Sequence, residues 1–204
     1  MTALELDTPH GLARAHLQPA GDPRAALVLG HGAGGGVAAR DLVAATEAAV
    51  EEGVTVALVE QPYRVAGRPS QAPARQLDAA WTAVVEQLRD GPFSGLQLVV
   101  GGRSAGARVA CRTVEATGAV GVLCLAFPLQ PRRRSGDPPP SRLPELESVR
   151  VPVLVVQGER DQFGVPPGAP GRTVVRVAGD HGLKADLPAV AAAVRSWLHE
   201  ILAS

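Results

Sequence analysis

Leu96-Gln97-Leu98-Val99-Val100-Gly101-Gly102-Arg103-Ser104-Ala105-Gly106-Ala107-Arg108 decides the reading of this chain. A run of apolar, largely β-branched residues reaches a glycine pair, then a serine framed as Gly-x-Ser-x-Gly, then a helix-forming segment. Strand, sharp turn and helix in that order hold a serine on a strained turn, its hydroxyl standing above the sheet edge. Gly102 and Gly106 lack the Cβ atoms that would collide where strand and helix close around it. The helix behind Ser104 also directs unpaired N–H groups and partial positive charge at any oxyanion that forms there. Alone, the pattern is weak, because glycine-rich strand-to-helix turns occur in many α/β proteins. The remainder of the chain has to carry the assignment.

Working outward, 54–59 and 25–30 on the upstream side are short, continuous apolar runs, and 120–127, 153–157 and 173–177 repeat the pattern downstream. Between them lie helical periodicities. Residues 37–52 read as a helix ended by Gly53. Leu77, Trp81, Val84, Val85 and Leu88 mark one face of a second, and Leu187, Val190, Val194, Trp197, Leu198 and Ile201 that of the last, with Pro188 in its first turn. Residues 2–18 alternate loosely about Thr8-Pro9-His10-Gly11, as in an antiparallel hairpin at a sheet edge. Strands apolar throughout, alternating with amphipathic helices, predict an α/β fold: a mostly parallel sheet with helices on both faces. A length of 204 residues suits one domain spanning 1–204. Residues 128–144 are rich in proline and arginine. The stretch 128–151 reads as a short surface excursion in place of a lid, which leaves an exposed site. Within it, Pro131-Arg132-Arg133-Arg134-Ser135 reads as a solvated loop rather than an anion site.

A formal net charge of zero argues against a nucleic-acid or anionic-membrane partner. No apolar run is long enough to cross a bilayer, and residues 1–9 carry acids with no apolar core of a secretory signal. Cys111 and Cys124 lack metal-ligand spacing and read as buried thiols of a reducing compartment. A soluble, cytoplasmic protein is expected, with no metal or organic cofactor. Oligomeric state is not legible in the sequence.

A nucleophilic serine needs a base, an acid to orient the base, and donors for the oxyanion. After a serine on a strand-to-helix turn, the chain order to look for is Ser, then Asp or Glu, then His, each on a loop following a strand. Ser104 is followed by Asp161 in Gln157-Gly158-Glu159-Arg160-Asp161 and by His181 in Gly179-Asp180-His181-Gly182. Taken singly, Asp161 reads as a turn acid and His181 as an exposed loop histidine. Glu159 and Asp180 are neighbouring competitors, while His10, His16 and His199 lack the post-strand position. The joint arrangement is far more specific than any one motif. His31-Gly32-Ala33-Gly34-Gly35 answers to a loop that supplies one oxyanion donor, so the backbone N–H groups of Ala33 and Ala105 are the candidate pair. His31 itself reads as a hydrogen-bonder of that loop. A phosphate cradle is disfavoured, since neither Gly-Lys-Ser/Thr nor a Gly-x-Gly-x-x-Gly with a later ribose-binding acid is present after it. Tyr63 and Arg64 follow a strand and are candidates for the substrate pocket, with packing of the loop as their equal alternative.

With these residues in view, the chain resembles a compact member of the α/β-hydrolase superfamily. It is similar to testis-expressed-protein-like predicted hydrolases and to the dienelactone-hydrolase-like group. The resemblance is carried by His31-Gly32-Ala33-Gly34-Gly35, Pro62-Tyr63-Arg64, Gly101-Gly102-Arg103-Ser104-Ala105-Gly106, Phe127-Pro128-Leu129, Gln157-Gly158-Glu159-Arg160-Asp161-Gln162-Phe163-Gly164 and Gly179-Asp180-His181. It implies Ser104 as nucleophile, His181 as base and Asp161 as its orienter, while the exposed site left by the short excursion at 128–151 suits a small or solvent-accessible acyl substrate. Two departures stand out. Ala105 and Ala107 replace the bulkier-then-glycine pattern associated with this turn. Residues 162–172 are too rich in proline and glycine for the helix that relatives usually carry there, which shortens the interval from Asp161 to His181.

The expected function is therefore a serine esterase or thioesterase. A peptidase shares the same acyl-transfer machinery. The reading from another class is a non-catalytic interaction or scaffold protein on the same fold, lacking a competent Ser104–His181–Asp161 geometry.

Overall fold

The computed structural model describes residues 2–131 and 140–203, so most of the arginine-bearing segment at 131–135 lies outside the described residues. In chain order the elements are β1 (Thr2–Thr8), β2 (Gly11–Gln18), β3 (Ala25–Gly30), α1 (Arg40–Glu51), β4 (Val54–Glu60), α2 (Pro62–Val65), α3 (Ala74–Asp90), β5 (Gln97–Arg103), α4 (Ala105–Thr117), β6 (Gly121–Leu125), α5 (Leu143–Glu147), β7 (Val153–Gly158), β8 (Arg172–Val177) and α6 (Leu187–Leu202). The strands form one sheet in the order β1-β2-β4-β3-β5-β6-β7-β8. The β1–β2 hairpin is antiparallel and joins β4 antiparallel, and every later pairing is parallel. This is the edge hairpin and the parallel body that the alternation and the continuous apolar runs predict.

Strand periodicity divides the core between two faces. Ala26, Val28, Val100, Val122 and Val155 meet α3 and α4 on one face, around Trp81, Leu88 and Ala110. Their chain neighbours Leu27, Leu29, Val99, Leu123 and Val156 meet α1 and α6 on the other, around Leu42, Val194 and Leu198. Each fully buried aliphatic side chain contributes about 1.5–3 kcal/mol relative to exposure, so the central strands are secured from both sides. Cys111 on α4 and Cys124 on β6 are both buried and unbridged, with sulfurs 3.6 Å apart. The contact with Cys111, together with burial, pushes the Cys124 thiol well above its usual range.

Several features differ from expectation, β6 among them, which spans Gly121–Leu125 rather than 120–127. The helix expected over 37–52 begins only at Arg40, because residues 37–39 continue the loop leaving β3. Two short helices, α2 and α5, were below the length at which periodicity is readable. The excursion at 128–151 is not wholly on the surface: Phe127 and Pro128 are buried at its start, and α5 places Leu146 in the core beside α4. Residues 162–171 contain no helix. Among the described residues, no helix is long and apolar enough to cross a membrane.

Candidate active site

The site forms at the carboxyl ends of β3, β5, β7 and β8, where parallel strands deliver their following loops to one edge. Ser104 sits between β5 and α4 with φ 53° and ψ −107°, a left-handed conformation that costs a non-glycine residue energy. The glycines around it are required by contact. A Cβ on Gly106 would lie 2.3 Å from the Gly30 carbonyl oxygen, and one on Gly102 would lie 2.5 Å from the same atom. Helix α4 thus rests directly on the end of β3, and the strain at Ser104 is held by that seating. The Ser104 N–H is committed to the Leu125 carbonyl at 2.9 Å. The next N–H, that of Ala105, opens α4, where no intrahelical acceptor exists.

Three groups converge. The Ser104 hydroxyl and His181 Nε2 are 2.9 Å apart, and His181 Nδ1 is 2.8 Å from Asp161 Oδ2. Ser104 and His181 are half-buried, whereas the Asp161 carboxylate is fully enclosed. Asp161 also accepts from the Phe163 N–H on Oδ1 at 2.9 Å and from Gln157 Nε2 on Oδ2 at 2.7 Å. An N–H from His181 Nδ1 to this carboxylate leaves Nε2 as the acceptor facing Ser104. The Phe163 ring stands edge-on to the imidazole with centroids 4.6 Å apart.

The short Asp161-to-His181 interval is accommodated by strand adjacency. Since β7 and β8 are neighbours, the loops after them run side by side. Arg160 N–H donates to the Gly179 carbonyl at 2.9 Å, and a Cβ on Gly158 would lie 2.3 Å from the Asp180 carbonyl oxygen. The competitors are engaged elsewhere. Asp180 accepts from the Gly182 N–H at 2.8 Å, and Glu159 is exposed. His16 pairs with Glu60 and His199 with Glu52, while His10 is exposed.

The 31–36 loop lies against Ser104: a Cβ on Gly32 would be 3.6 Å from that of Ser104. Ala33 is the next residue of this loop. His31 is buried, with Nδ1 2.8 Å from the Gly32 carbonyl and Nε2 accepting from the Gln61 N–H at 3.2 Å. Burial lowers its pKa, so the imidazole stays neutral with its proton on Nδ1. Tyr63 is also buried, and its hydroxyl donates to the Ala33 carbonyl at 3.2 Å, which makes it a support of the loop. Burial raises the Tyr63 pKa and keeps that proton in place. Arg64 is half-buried at the outer end of the loop, with Nη2 3.8 Å from where a Cβ on Gly36 would stand. Gly34 and Gly35 face open space.

Two residues at the site were not singled out from sequence. Gln157 is fully buried, and its amide nitrogen faces Asp161, the Phe127 carbonyl and the Gly164 carbonyl within 3.0 Å. Three acceptors around one nitrogen assign the amide orientation and leave Oε1 without a partner. Arg103, beside the nucleophile candidate, donates from Nε to the buried Asp41 at 2.8 Å and from Nη2 to the His181 carbonyl at 3.0 Å. Among the described residues no cluster of three or more His, Cys, Asp or Glu is placed to hold a metal. A groove of about 580 Å³, lined by Val37, Val43, Val50 and Leu58 among others, shares no residue with the Ser104–His181–Asp161 chain.

Against known structures, this chain is similar to a lidless α/β serine hydrolase from Xanthomonas campestris, with 21% identity, a TM-score of 0.76, and 98% of this chain and 94% of that one covered. Est1E from Butyrivibrio proteoclasticus superposes with a TM-score of 0.80 at 16% identity, covering 99% of both chains. Dienelactone hydrolase from Anabaena variabilis gives 0.75 at 14% identity, covering 98% of this chain and 96% of its own. At these identities the likeness is one of fold. No curated protein sequence matches this chain closely. The model of the alpha/beta hydrolase domain family matches residues 23–185, which include the whole site. The chain belongs to the α/β-hydrolase domain family.

Proposed function

We propose that this chain is a serine hydrolase that cleaves a carboxylic ester or thioester through an acyl-enzyme on Ser104. The observation that carries the reading is the continuous hydrogen-bonded chain from Ser104 through His181 to the enclosed Asp161, with 2.9 and 2.8 Å links. Each group then has a role set by its surroundings. Ser104 Oγ bonds to the acyl carbon while its proton passes to His181 Nε2, and Asp161 stabilises the resulting imidazolium through Nδ1–H. The carbonyl electron pair moves onto oxygen, where the N–H groups of Ala33 and Ala105 receive it. One such donor is worth on the order of 3 kcal/mol in the transition state. Collapse breaks the bond to the alkoxide or thiolate leaving group, which takes the proton from His181. Water then repeats the sequence against the acyl-enzyme and restores Ser104.

Access from solvent supports small or exposed esters: Ser104 and His181 are half-buried, and Gly34 and Gly35 border open space. Arg64, at the outer end of the same loop, is proposed to line the leaving-group side, with Tyr63 holding the loop beneath it. The lidless serine hydrolase in the comparison supports the same reading.

Initial rates on p-nitrophenyl acetate, p-nitrophenyl octanoate and a thioester analogue test it. Wild-type turnover of at least one, falling by roughly 10³-fold or more in Ser104→Ala, is the expected result. Equal rates in both proteins would refute it and favour the scaffold alternative.

A further inference from the structure

Arg103 closes β5 and directly precedes Ser104, yet its side chain turns away from the reacting groups and joins three other segments. Nε donates to Asp41 Oδ2 on α1 at 2.8 Å, and Nη2 donates to the main-chain carbonyl of His181 at 3.0 Å. Nη1 lies under the 31–36 loop, where a Cβ on Gly32 would be only 2.9 Å away. Asp41 is 1% exposed, and its second oxygen is held by the Leu42 N–H at 3.0 Å, so the carboxylate is fixed in place. A planar guanidinium aimed by a fixed carboxylate is a rigid fork, unlike the point charge of a lysine on a flexible stem.

The loops it touches are the two that the hydrolase reading needs most. One presents His181 and turns through the left-handed Leu183, whose side chain is fully buried. The other presents Ala33. Neither belongs to a regular element, and each must hold its position against Ser104 to a fraction of an ångström.

We propose that Arg103, aimed by Asp41, is a positioning residue that fixes the His181 loop and the Ala33 loop relative to Ser104. It acts through the His181 main chain and through contact with Gly32. This inference rests on the reading of Ser104 and His181 as the reacting pair.

The competing role is a purely structural ion pair between α1 and β5, and a double variant separates the two. Removing one partner leaves an unpaired buried charge and costs folding stability, whereas replacing both by apolar residues of similar volume restores it. Asp41→Leu combined with Arg103→Met therefore retains a near-wild-type melting temperature while lacking the fork. Asp41→Asn, which keeps a hydrogen-bond acceptor, serves as the milder second variant. On the folded proteins the rate of fluorophosphonate labelling at Ser104 and the kcat and KM for p-nitrophenyl acetate are measured. Proton NMR follows the downfield His181 Nδ1 proton, assigned by its loss in His181→Gln.

Positioning predicts labelling and kcat lowered roughly 10- to 100-fold in the double variant, KM within twofold of wild type, and the downfield resonance lost or shifted. Asp41→Asn falls between. A folded double variant that labels at the wild-type rate and keeps the resonance overturns the inference. So does a raised KM with unchanged kcat, which would place Arg103 against substrate. Should wild type neither label nor turn over, the hydrolase reading fails on its own account. The resonance then decides alone: its loss in the folded double variant supports positioning and its persistence refutes it.

Discussion

Replacing Gly106 by alanine tests the contact that seats the Ser104 helix on the sheet. The added Cβ would stand 2.3 Å from the Gly30 carbonyl oxygen, 2.6 Å from the Gly30 carbonyl carbon and 2.9 Å from the His31 carbonyl oxygen. All three are backbone atoms at the end of a central strand, so none can swing aside as a flexible side chain would. Ordinary contact begins near 3.4 Å, which requires the first turn of α4 to withdraw by about 1 Å. Overpacking of this kind costs about 1–3 kcal/mol, or roughly 2–12 °C of melting temperature for a chain of this size. The same displacement carries Ser104 and the Ala105 N–H away from His181, and a misplacement of about 1 Å costs on the order of 10²-fold in rate. Thermal melts by circular dichroism and the second-order rate of fluorophosphonate labelling read the two effects separately. Gly21→Ala is the control, since a Cβ there meets nothing within 4 Å. A Gly106→Ala protein with wild-type melting temperature and labelling rate would refute the close-packed elbow.

Asp161→Asn should lower kcat by about 10⁴-fold with little change in fold. His181 and Gln157 both donate to Oδ2 and the Phe163 N–H donates to Oδ1, so either placement of the new NH₂ group opposes a donor; comparable turnover in the variant would count against Asp161 as the orienter. His31 gives a pH test of stability. Its folded pKa is lowered from 6.5 by burial, so the unfolded chain takes up a proton below about pH 6.5 that the folded chain refuses. That contribution is full above pH 6.5 and is lost as pH falls towards the folded value, by about 1.4 kcal/mol per pH unit. His31→Gln supplies an amide donor and acceptor at the same place, so its unfolding free energy by urea titration should decline less steeply than wild type between pH 7 and 5. Parallel declines would show that His31 is protonated in the fold.

The fold was legible because burial on both faces leaves a direct mark. Ala25–Gly30 and Val153–Gly158 are apolar at nearly every position, and both are buried throughout. The convergence of Ser104, Asp161 and His181 was legible for a related reason: each comes just after such a run, and parallel strands deliver their C-terminal loops to one edge of the sheet. The contacts that escaped reading are those that join distant segments. Asp41 looks like an ordinary acid in the first turn of a helix, and only folding across 62 residues gives it Arg103 as partner. Gln157 reads as a polar strand end, and its role depends on a loop that returns Asp161 to its amide. Tyr63 was equally open to lining a pocket or packing a loop, and only the fold supplies the bond from its hydroxyl to the Ala33 carbonyl. The short α5 offered too few residues for a period, so the burial of Leu146 beneath the excursion was invisible.

The most direct test of an activated serine is intact-mass analysis after exposure to a fluorophosphonate, with peptide mapping of the adduct. The expected result is one adduct per wild-type chain, mapped to Ser104, absent in Ser104→Ala and slowed by orders of magnitude in His181→Ala. No adduct on folded wild type, or an adduct that persists when Ser104 is removed, would contradict it.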